Sequence, residues 1–248
     1  MTAVAVIPAR YAARRFPGKP LAPIAGRPLL RRVWEAAREA KSLRAVIVAT
    51  DDERIAQAAR AFGAEVALTR RDHLSGTDRV AEVALALDDE IVVNVQGDEP
   101  LLEGLAVDAA VEALRQDPAA PMATLVHPAE AGAGADPHRV KAVLDRRGNA
   151  LYFSRAAIPA PRAGAAGGAA PPLLQHVGVY AYRRAFLLEL VRLLPTPLER
   201  AEGLEQLRAL EHGHRIRCAV LEGWRGIPVD VPEDVARVEA RLRELGRC

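Results

Sequence analysis

The sequence contains few cysteines and no long apolar run. Its two thiols, Cys218 and Cys248, are too few for the disulfide framework of a secreted protein or for a zinc cluster, and they fit a reducing cytoplasm. No stretch of about 18 consecutive apolar residues occurs, and no basic segment precedes the short apolar run at the start. We therefore expect a cytoplasmic protein with neither a membrane span nor a secretion signal.

The sequence also lacks a strong charge of either sign. Its 34 Lys and Arg residues nearly balance its 32 Asp and Glu residues, which leaves a formal charge of +2. Such a chain has no general attraction for nucleic acid or acidic membranes, so we expect it to bind neither. Any site for an anion must be local.

Half of the residues are apolar, which is enough for a substantial core, and the length fits one large α/β domain. Strand-length apolar runs alternate with stretches of helical periodicity in the first half of the chain. This alternation predicts a mostly parallel sheet flanked by helices, with ligands bound beyond the carboxyl ends of the strands. The predicted strands are Ala3–Pro8, Ala45–Ala49, Glu65–Leu68 and Ile91–Val95, and the predicted helices are Pro28–Ala40, Asp52–Phe62 and Thr77–Leu87.

The pattern changes after about residue 121, where a β-rich excursion surrounds the Ala-, Gly- and Pro-rich segment Pro159–Pro172, which we predict to be a mobile loop. The strands predicted here are Val140–Leu144, Leu151–Phe153, His176–Tyr182 and Ile216–Leu221, and the helices are Arg184–Leu194, Leu198–His212 and Pro232–Leu245. No repeat or linker separates independent units. We therefore predict a single domain over residues 1–248, with a first half to about residue 120, the excursion over about 121–225, and a closing turn and helix over 226–248.

The first predicted strand leads into a cation-dense loop, residues 10–20, here called the phosphate loop. Arginine forks and a lysine ammonium bind phosphate oxygens, and Gly18 lets the backbone approach a triphosphate closely. The loop is not a P-loop, because Pro20 follows the lysine where a serine or threonine is required. The alternative is a solvated basic loop. The cations of the phosphate loop are Arg10, Arg14, Arg15 and Lys19.

Two motifs follow the third and fourth predicted strands of the first half. Ser75-Gly76-Thr77-Asp78 begins a helix and offers free N–H groups to an anion, although the same run is an ordinary N-cap. Gly97-Asp98-Glu99-Pro100 follows an apolar strand, where a carboxylate can hold Mg²⁺ together with phosphate oxygens. Asp98 is therefore the first metal-ligand candidate, and a plain polar turn is the alternative.

At least six runs resemble, in order and spacing, the 3-deoxy-manno-octulosonate (Kdo) cytidylyltransferases. Two departures stand out. Ala13-Arg14 replaces the family's Ser-Thr, and Ile227-Pro228 replaces its Thr-Gly. The runs are PARYAARRFPGKPL, HLSGTDR, VNVQGDEP, YFSRAAIP, HVGVYAYR and LERAEGLEQLR, followed by VDVPED.

The resemblance implies a Rossmann-like nucleotidyltransferase fold (GT-A-like), with a mixed, mostly parallel sheet, and a role for each matching residue. By itself, Asp230 is only an acid favoured before a helix that starts at Pro232; the family makes it the second Mg²⁺ ligand beside Asp98. The other roles are triphosphate binding by Arg10, Arg15, Gly18 and Lys19; base recognition by Ser75, Gly76 and Arg79; and sugar binding by Gln96, Arg162, His176, Tyr180, Glu205 and Gln206.

The implied reaction is attack of the anomeric hydroxyl of Kdo on the α-phosphorus of CTP, which gives CMP-Kdo and pyrophosphate. Catalysis would be positioning and electrostatics, with Arg10, Lys19, Asp98 and Asp230 as the catalytic set and Mg²⁺ as the cofactor. The resemblance also implies a homodimer formed through the excursion and a role in lipopolysaccharide synthesis.

Three alternatives remain at this point. The acceptor could be another sugar acid, either sialic-acid-like or 8-amino-Kdo. A sugar-1-phosphate or polyol-phosphate nucleotidyltransferase would need further cations for a phosphorylated acceptor, and no such cluster is seen. A non-catalytic nucleotide-binding regulator would not need both aspartates and Lys19.

Overall fold

The computed structural model describes residues 1–12, 15–130, 132–160, 172–224 and 226–247. Short 3-10 turns lie at Lys19–Leu21 and Ala133–Ala135. In chain order the elements are β1 (Ala3–Ala9), β2 (Pro23–Ile24), β3 (Arg27–Pro28), α1 (Leu29–Arg38), β4 (Ala45–Thr50), α2 (Glu53–Ala61), β5 (Glu65–Leu68), α3 (Gly76–Leu85), β6 (Ile91–Val95), α4 (Gly104–Gln116), β7 (Met122–Pro128), β8 (Lys141–Leu144), β9 (Ala150–Ser154), β10 (Leu174–Arg183), α5 (Arg184–Leu190), α6 (Pro197–Glu202), α7 (Gln206–Glu211), β11 (Ile216–Val220) and α8 (Asp234–Glu244).

Within the described residues, nine strands form one mixed sheet whose central path is β11-β7-β10-β6-β1-β4-β5. The strands β6, β1, β4 and β5 are parallel, whereas β10 runs antiparallel between β6 and β7. The β8–β9 hairpin extends from β10. The predicted fold class, a mixed and mostly parallel sheet flanked by helices, is confirmed.

Both faces of the sheet are covered, which explains why its central strands are apolar without alternation. One buried cluster joins one face of the sheet to α1, α4 and α8, and it includes Leu30, Val111 and Val238. A second buried cluster joins the other face to α3, α5 and α7, and it includes Val80, Leu187 and Leu207. Each such buried side chain contributes roughly 1.5–3 kcal/mol of hydrophobic free energy. The core therefore fixes the strand ends from which the site is built.

Several predicted elements differ from the structure. The predicted helix Leu198–His212 is two helices, because Gly203 ends α6 in the left-handed conformation with φ of 61°. The helix α5 stops at Leu190, and the closing helix begins at Asp234, two residues after Pro232. The predicted loop Pro159–Pro172 lies mostly outside the described residues.

The helix α4 and the strand β7 were not predicted. A Cβ on Gly104, the first residue of α4, would lie 2.6 Å from the backbone nitrogen of Ala40. The glycine is thus needed for the close approach of α4 to the end of α1, although a local pattern would interpret it as a helix breaker. Within the described ranges, no helix is both long and apolar enough to cross a membrane.

Candidate active site

The site begins where β1 and β6 end side by side. The two strands are parallel, with Val6 opposite Asn94, so the segments that follow them leave the sheet at the same edge. A Cβ on Gly97 would lie 3.3 Å from the carbonyl oxygen of Pro8. The glycine therefore allows the segment before Asp98 to lie directly against the start of the phosphate loop.

Lys19 lies between the two predicted metal ligands. Its Nζ donates hydrogen bonds of 2.9 Å to Asp98 Oδ2 and 2.9 Å to the carbonyl oxygen of Val229, and lies 3.9 Å from Asp230 Oδ1. The backbone N–H of Val229 donates to the carbonyl oxygen of Asp98 at 2.9 Å, which ties the two segments together. The structure thus brings two carboxylates that are distant in sequence to a single cation.

Two arginines of the phosphate loop, Arg15 and Arg10, are accessible. Arg15 donates to Asp230 Oδ1 at 2.8 Å with a side chain that is 58% exposed, so this ion pair contributes little to stability and can exchange for a phosphate. Arg10 is exposed at the end of β1. Gly18 has φ of 74° and its N–H donates to Tyr11 O at 2.9 Å, which closes the loop before Lys19. The predicted departure Ala13-Arg14 lies outside the described residues.

A third carboxyl group, that of Glu99, lies buried beside this cluster. Its side chain is 8% exposed, and Oε2 has no hydrogen-bond partner. Burial, together with the charges of Asp98 and Asp230, raises its pKa to about 8, and the charge of Lys19 opposes the rise. Burial is the largest of these causes, so the Glu99 carboxyl favours its neutral form near pH 7.

The donor set fits a hard divalent cation. Asp98 and Asp230 supply oxygen ligands, and neither side chain is fully buried. Mg²⁺ is typically held by one or two carboxylates, with substrate phosphates and water as its other ligands. Beside these two carboxylates, the orphaned Oε2 of Glu99 is a buried acceptor that lacks a donor.

The predicted base-recognition residues begin α3. Ser75 is its N-cap: Asp78 N–H donates to Ser75 Oγ at 3.1 Å, and Ser75 N–H donates to Asp78 Oδ2 at 3.0 Å. A Cβ on Gly76 would lie 3.3 Å from the ring of Pro8, so α3 begins against the end of β1. The capping interpretation is confirmed, and nucleotide binding by the same residues stays a prediction.

Arg79 has internal partners. It is 4% exposed, its Nη2 lies 2.9 Å from Asp51 Oδ1, and its Nη1 donates to Thr69 Oγ1. Burial lowers its pKa, and the nearby charge of Arg10 lowers it further. The structure therefore places two guanidinium groups close together beside the end of β1, one buried and one exposed.

The described residues predicted to bind the sugar share one polar surface. Thr77 Oγ1 donates to Glu205 Oε2 at 2.5 Å, and Tyr180 donates to Gln206 Oε1 at 3.1 Å. Gln96 lies over Gly178, where a Cβ would come within 3.0 Å of Gln96 Cγ. The remaining predicted contact, Arg162, lies outside the described residues.

His176 borders this surface as a neutral ring. Burial lowers its pKa to about 3. The Thr124 hydroxyl donates to the carbonyl oxygen of Val179 at 2.8 Å, so its oxygen accepts from His176 Nε2–H at 2.9 Å. This network assigns the proton to Nε2 and leaves Nδ1 as an acceptor. The ring lies 5.2 Å from that of Tyr180, centroid to centroid.

A cavity of about 630 Å³ opens beside Asp230 and is large enough for a small sugar acid. Its lining includes Arg15, Glu99, Gln175, His176, Trp224 and Asp230.

Sequence reasoning missed three residues of the site. Asn94 is fully buried within the apolar strand β6 and donates to Thr77 Oγ1 at 3.4 Å. A polar residue inside an otherwise apolar strand is the signal that could have indicated it. Thr77 and the unpaired carboxyl of Glu99 gave no such signal, because their roles depend on contacts with distant segments.

Comparisons with known proteins identify the family of this chain. The profile of a family described as cytidylyltransferase matches residues 4–216. The 3-deoxy-manno-octulosonate cytidylyltransferase of Syntrophotalea carbinolica is 52% identical over 99% of this chain and 100% of its own length. That of Syntrophobacter fumaroxidans is 54% identical over 96% of each chain.

Solved structures give the same result. The structure of CMP:2-keto-3-deoxy-manno-octonic acid synthetase complexed with CTP has a TM-score of 0.92 and 43% identity, and the match covers 99% of this chain and 100% of that one. The 4-diphosphocytidyl-2C-methyl-D-erythritol synthase of Anaerococcus prevotii, at 13% identity and a TM-score of 0.63, shares the fold alone. With full-length relatives, a matching sheet and the motifs placed at one edge of it, the chain belongs to the 3-deoxy-manno-octulosonate cytidylyltransferase family.

Proposed function

We propose that the protein transfers CMP from CTP to the anomeric hydroxyl of Kdo and releases pyrophosphate. The observation that carries this proposal is the position of Lys19, whose ammonium joins the phosphate loop to both Asp98 and Asp230. This junction lies between a cationic loop suited to a triphosphate and a polar surface suited to a hydroxylated acceptor. The related structure that was solved in complex with CTP supports CTP as the nucleotide substrate.

The chain contributes positioning and charge. The acceptor hydroxyl gives up its proton to water as its oxygen forms a bond to the α-phosphorus. The bond from that phosphorus to the β-phosphate oxygen breaks, and its pair of electrons leaves with pyrophosphate. Lys19, Arg15 and Arg10 can hold the phosphate oxygens on which the negative charge develops, because all three belong to the phosphate loop, and Lys19 and Arg15 both reach the aspartates of the site. Holding both reactants at one sheet edge replaces a bimolecular encounter with an intramolecular one.

We propose that Mg²⁺ is held by Asp98 and Asp230. When bound, the ion would supply Lewis-acid neutralisation of phosphate charge and lower the pKa of the attacking hydroxyl. The convergence of both carboxylates on Lys19, and the unpartnered carboxyl oxygen of Glu99 beside them, support this placement.

On the acceptor side, the polar surface offers both donors and acceptors to sugar hydroxyls. Neutral His176 presents Nδ1 as an acceptor, and Gln96, Tyr180, Glu205 and Gln206 surround the same space. Burial raises the pKa of Glu205 and, with the charge of Glu205, that of Tyr180. Tyr180 therefore keeps its phenolic proton and remains a hydrogen-bond donor.

Three wider proposals follow from membership of the family. A homodimer through the excursion is supported by β9, which pairs only with β8 among the described strands and presents Leu151 with 62% of its surface exposed. A cytoplasmic location is supported by the two cysteines and by the use of CTP. A role in lipopolysaccharide synthesis is supported by the acceptor, Kdo.

A pyrophosphate-release assay with CTP, Mg²⁺ and a panel of sugar acids tests the function. We expect Kdo to give the highest kcat/KM, ahead of 8-amino-Kdo and a sialic acid. Higher activity with another acid would show that this acid, and not Kdo, is the acceptor. Failure to release pyrophosphate with any acid, while CTP still binds, would instead indicate a nucleotide-binding regulator.

A further inference from the structure

The ring of Tyr11 is enclosed between the phosphate loop and α2. Its backbone carbonyl accepts the Gly18 N–H at 2.9 Å, which joins the two described arms of the loop, residues 10–12 and 15–20. A Cβ on Gly18 would lie 3.2 Å from Cζ and Oη of Tyr11, so the ring packs directly on the glycine. The position of Tyr11 is therefore coupled to that of Gly18, the residue before Lys19.

Arg54 covers the ring of Tyr11. Its Cζ lies 3.4 Å from the ring centroid, within the range of a cation–π contact. The guanidinium is planar, so it can stack on the ring in a way that a lysine ammonium cannot.

Asp52 fixes the orientation of the Arg54 guanidinium. Arg54 Nε donates to Asp52 Oδ1 at 2.9 Å and Nη2 donates to Oδ2 at 2.6 Å, which is a two-point contact. Asp52 is itself the N-cap of α2, because its Oδ1 accepts the backbone N–H of Arg54 at 3.0 Å. The guanidinium is thus attached to a fixed point at the end of β4.

We infer that Arg54 is a positioning residue for CTP. By stacking on Tyr11, it holds the phosphate loop in the conformation that presents Lys19 and Arg15 to the triphosphate. The charge of Arg54 is offset by Asp52, so its contribution is orientation of the loop and not direct attraction of phosphate. This inference rests on the proposed assignment of the phosphate loop to CTP.

Steady-state kinetics of Arg54→Gln test the inference, with Arg60→Gln as the matched control. Arg60 is an exposed arginine on the same helix, paired with Glu53 at 2.9 Å. We expect Arg54→Gln to raise the KM for CTP roughly two- to fivefold, the range of an exposed cation–π contact, while kcat and the KM for Kdo stay near wild type. Arg54→Lys should restore part of the loss. A KM for CTP equal to that of Arg60→Gln would overturn the inference.

A double-mutant cycle separates positioning from direct contact. In a Tyr11→Leu background, Arg54→Gln should have no further effect on the KM for CTP, whereas in Tyr11→Phe it should keep its full effect. An unchanged effect in Tyr11→Leu would mean that Arg54 acts on the nucleotide itself and would overturn the positioning role. If Tyr11→Leu does not fold, the Tyr11→Phe result decides, because loss of the Arg54 effect there would also contradict ring stacking.

Lys19→Met distinguishes failure of this inference from failure of the proposed function. If the KM for CTP rises strongly in Lys19→Met and does not rise in Arg54→Gln, the positioning role of Arg54 is wrong and the proposed function stands. An unaffected Lys19→Met protein would overturn the assignment of the phosphate loop and the role of Arg54 with it.

Discussion

Lys19 donates a 2.9 Å hydrogen bond to Asp98, which connects the loop after β1 with the segment after β6. The ammonium is 16% exposed and the carboxylate 28% exposed, so this is a partly buried ion pair at the mouth of a cleft. Phosphate oxygens of a nucleotide would compete with Asp98 for the N–H groups of Lys19. The pair therefore has a different role from an ion pair that only stabilises the fold.

Asp98→Asn should abolish turnover and spare the fold. The amide keeps the shape of the carboxylate but loses the charge that binds a divalent cation, so we expect kcat to fall by about 10³-fold or more. Pyrophosphate release measures the loss, and thermal unfolding measures the fold. Asp145→Asn is the control, because Asp145 lies in the turn between β8 and β9 and its carboxylate accepts hydrogen bonds from Arg147 and Asn149 of that turn. Most of the activity surviving at saturating Mg²⁺ would contradict the role of Asp98.

Removal of divalent cations should stop the reaction without unfolding the protein. Lys19 already neutralises part of the charge of Asp98 and Asp230, so the folded state does not depend on a metal for its cohesion. We expect an excess of EDTA to eliminate pyrophosphate release, added Mg²⁺ to restore it, and the melting temperature to change little. Undiminished activity in EDTA would show that the two aspartates serve another purpose.

Gly178→Ala should weaken binding of the sugar selectively. The new Cβ would lie 3.0 Å from Gln96 Cγ, which is closer than ordinary packing allows, so Gln96 must move. We expect the KM for Kdo to rise by about tenfold, corresponding to about 1.4 kcal/mol, with the KM for CTP near wild type. Gly134→Ala is a matched control, because its Cβ would meet Leu173 Cδ2 at 3.4 Å and Ala157 Cβ at 3.8 Å, which are ordinary packing distances. Equal KM values for Kdo in both variants would argue against a role of Gln96 in acceptor binding.

Much of the first half of the fold could be predicted from the sequence. The bounds of β5 and β6 agree with the prediction, and β1 and β4 differ by a single residue at one end, because β-branched runs are delimited by polar residues. The helix α4 could not be predicted, because Gly104 is explained only by its contact with the end of α1. Local patterns contain no information on such a contact.

The candidate site, too, could be predicted only in part from the sequence. Composition and spacing placed Asp98 at a strand end, but only family resemblance linked Asp230 to it, since the two segments meet through a tertiary contact between Asp98 and Val229. The stacking of Arg54 on Tyr11 was not predicted, because an arginine in the first turn of a helix is ordinarily solvated. The sequence alone could not predict contacts between segments that are distant along the chain.

His176→Gln should make stability less sensitive to acid. The pKa of His176 is lowered by burial to about 3 in the folded protein, against an ordinary value of 6.5. Between these values the unfolded chain binds a proton at this position and the folded protein does not, so the free energy of unfolding falls as the pH is lowered from 6.5 toward 3. The loss is at most about 1.4 kcal/mol for each pH unit. In His176→Gln this part of the slope should disappear, and in His212→Gln, which removes an exposed histidine, the slope should match wild type. Urea unfolding between pH 6.5 and about pH 5 measures the difference, and equal slopes in wild type and His176→Gln would show that the ring is protonated in the folded state.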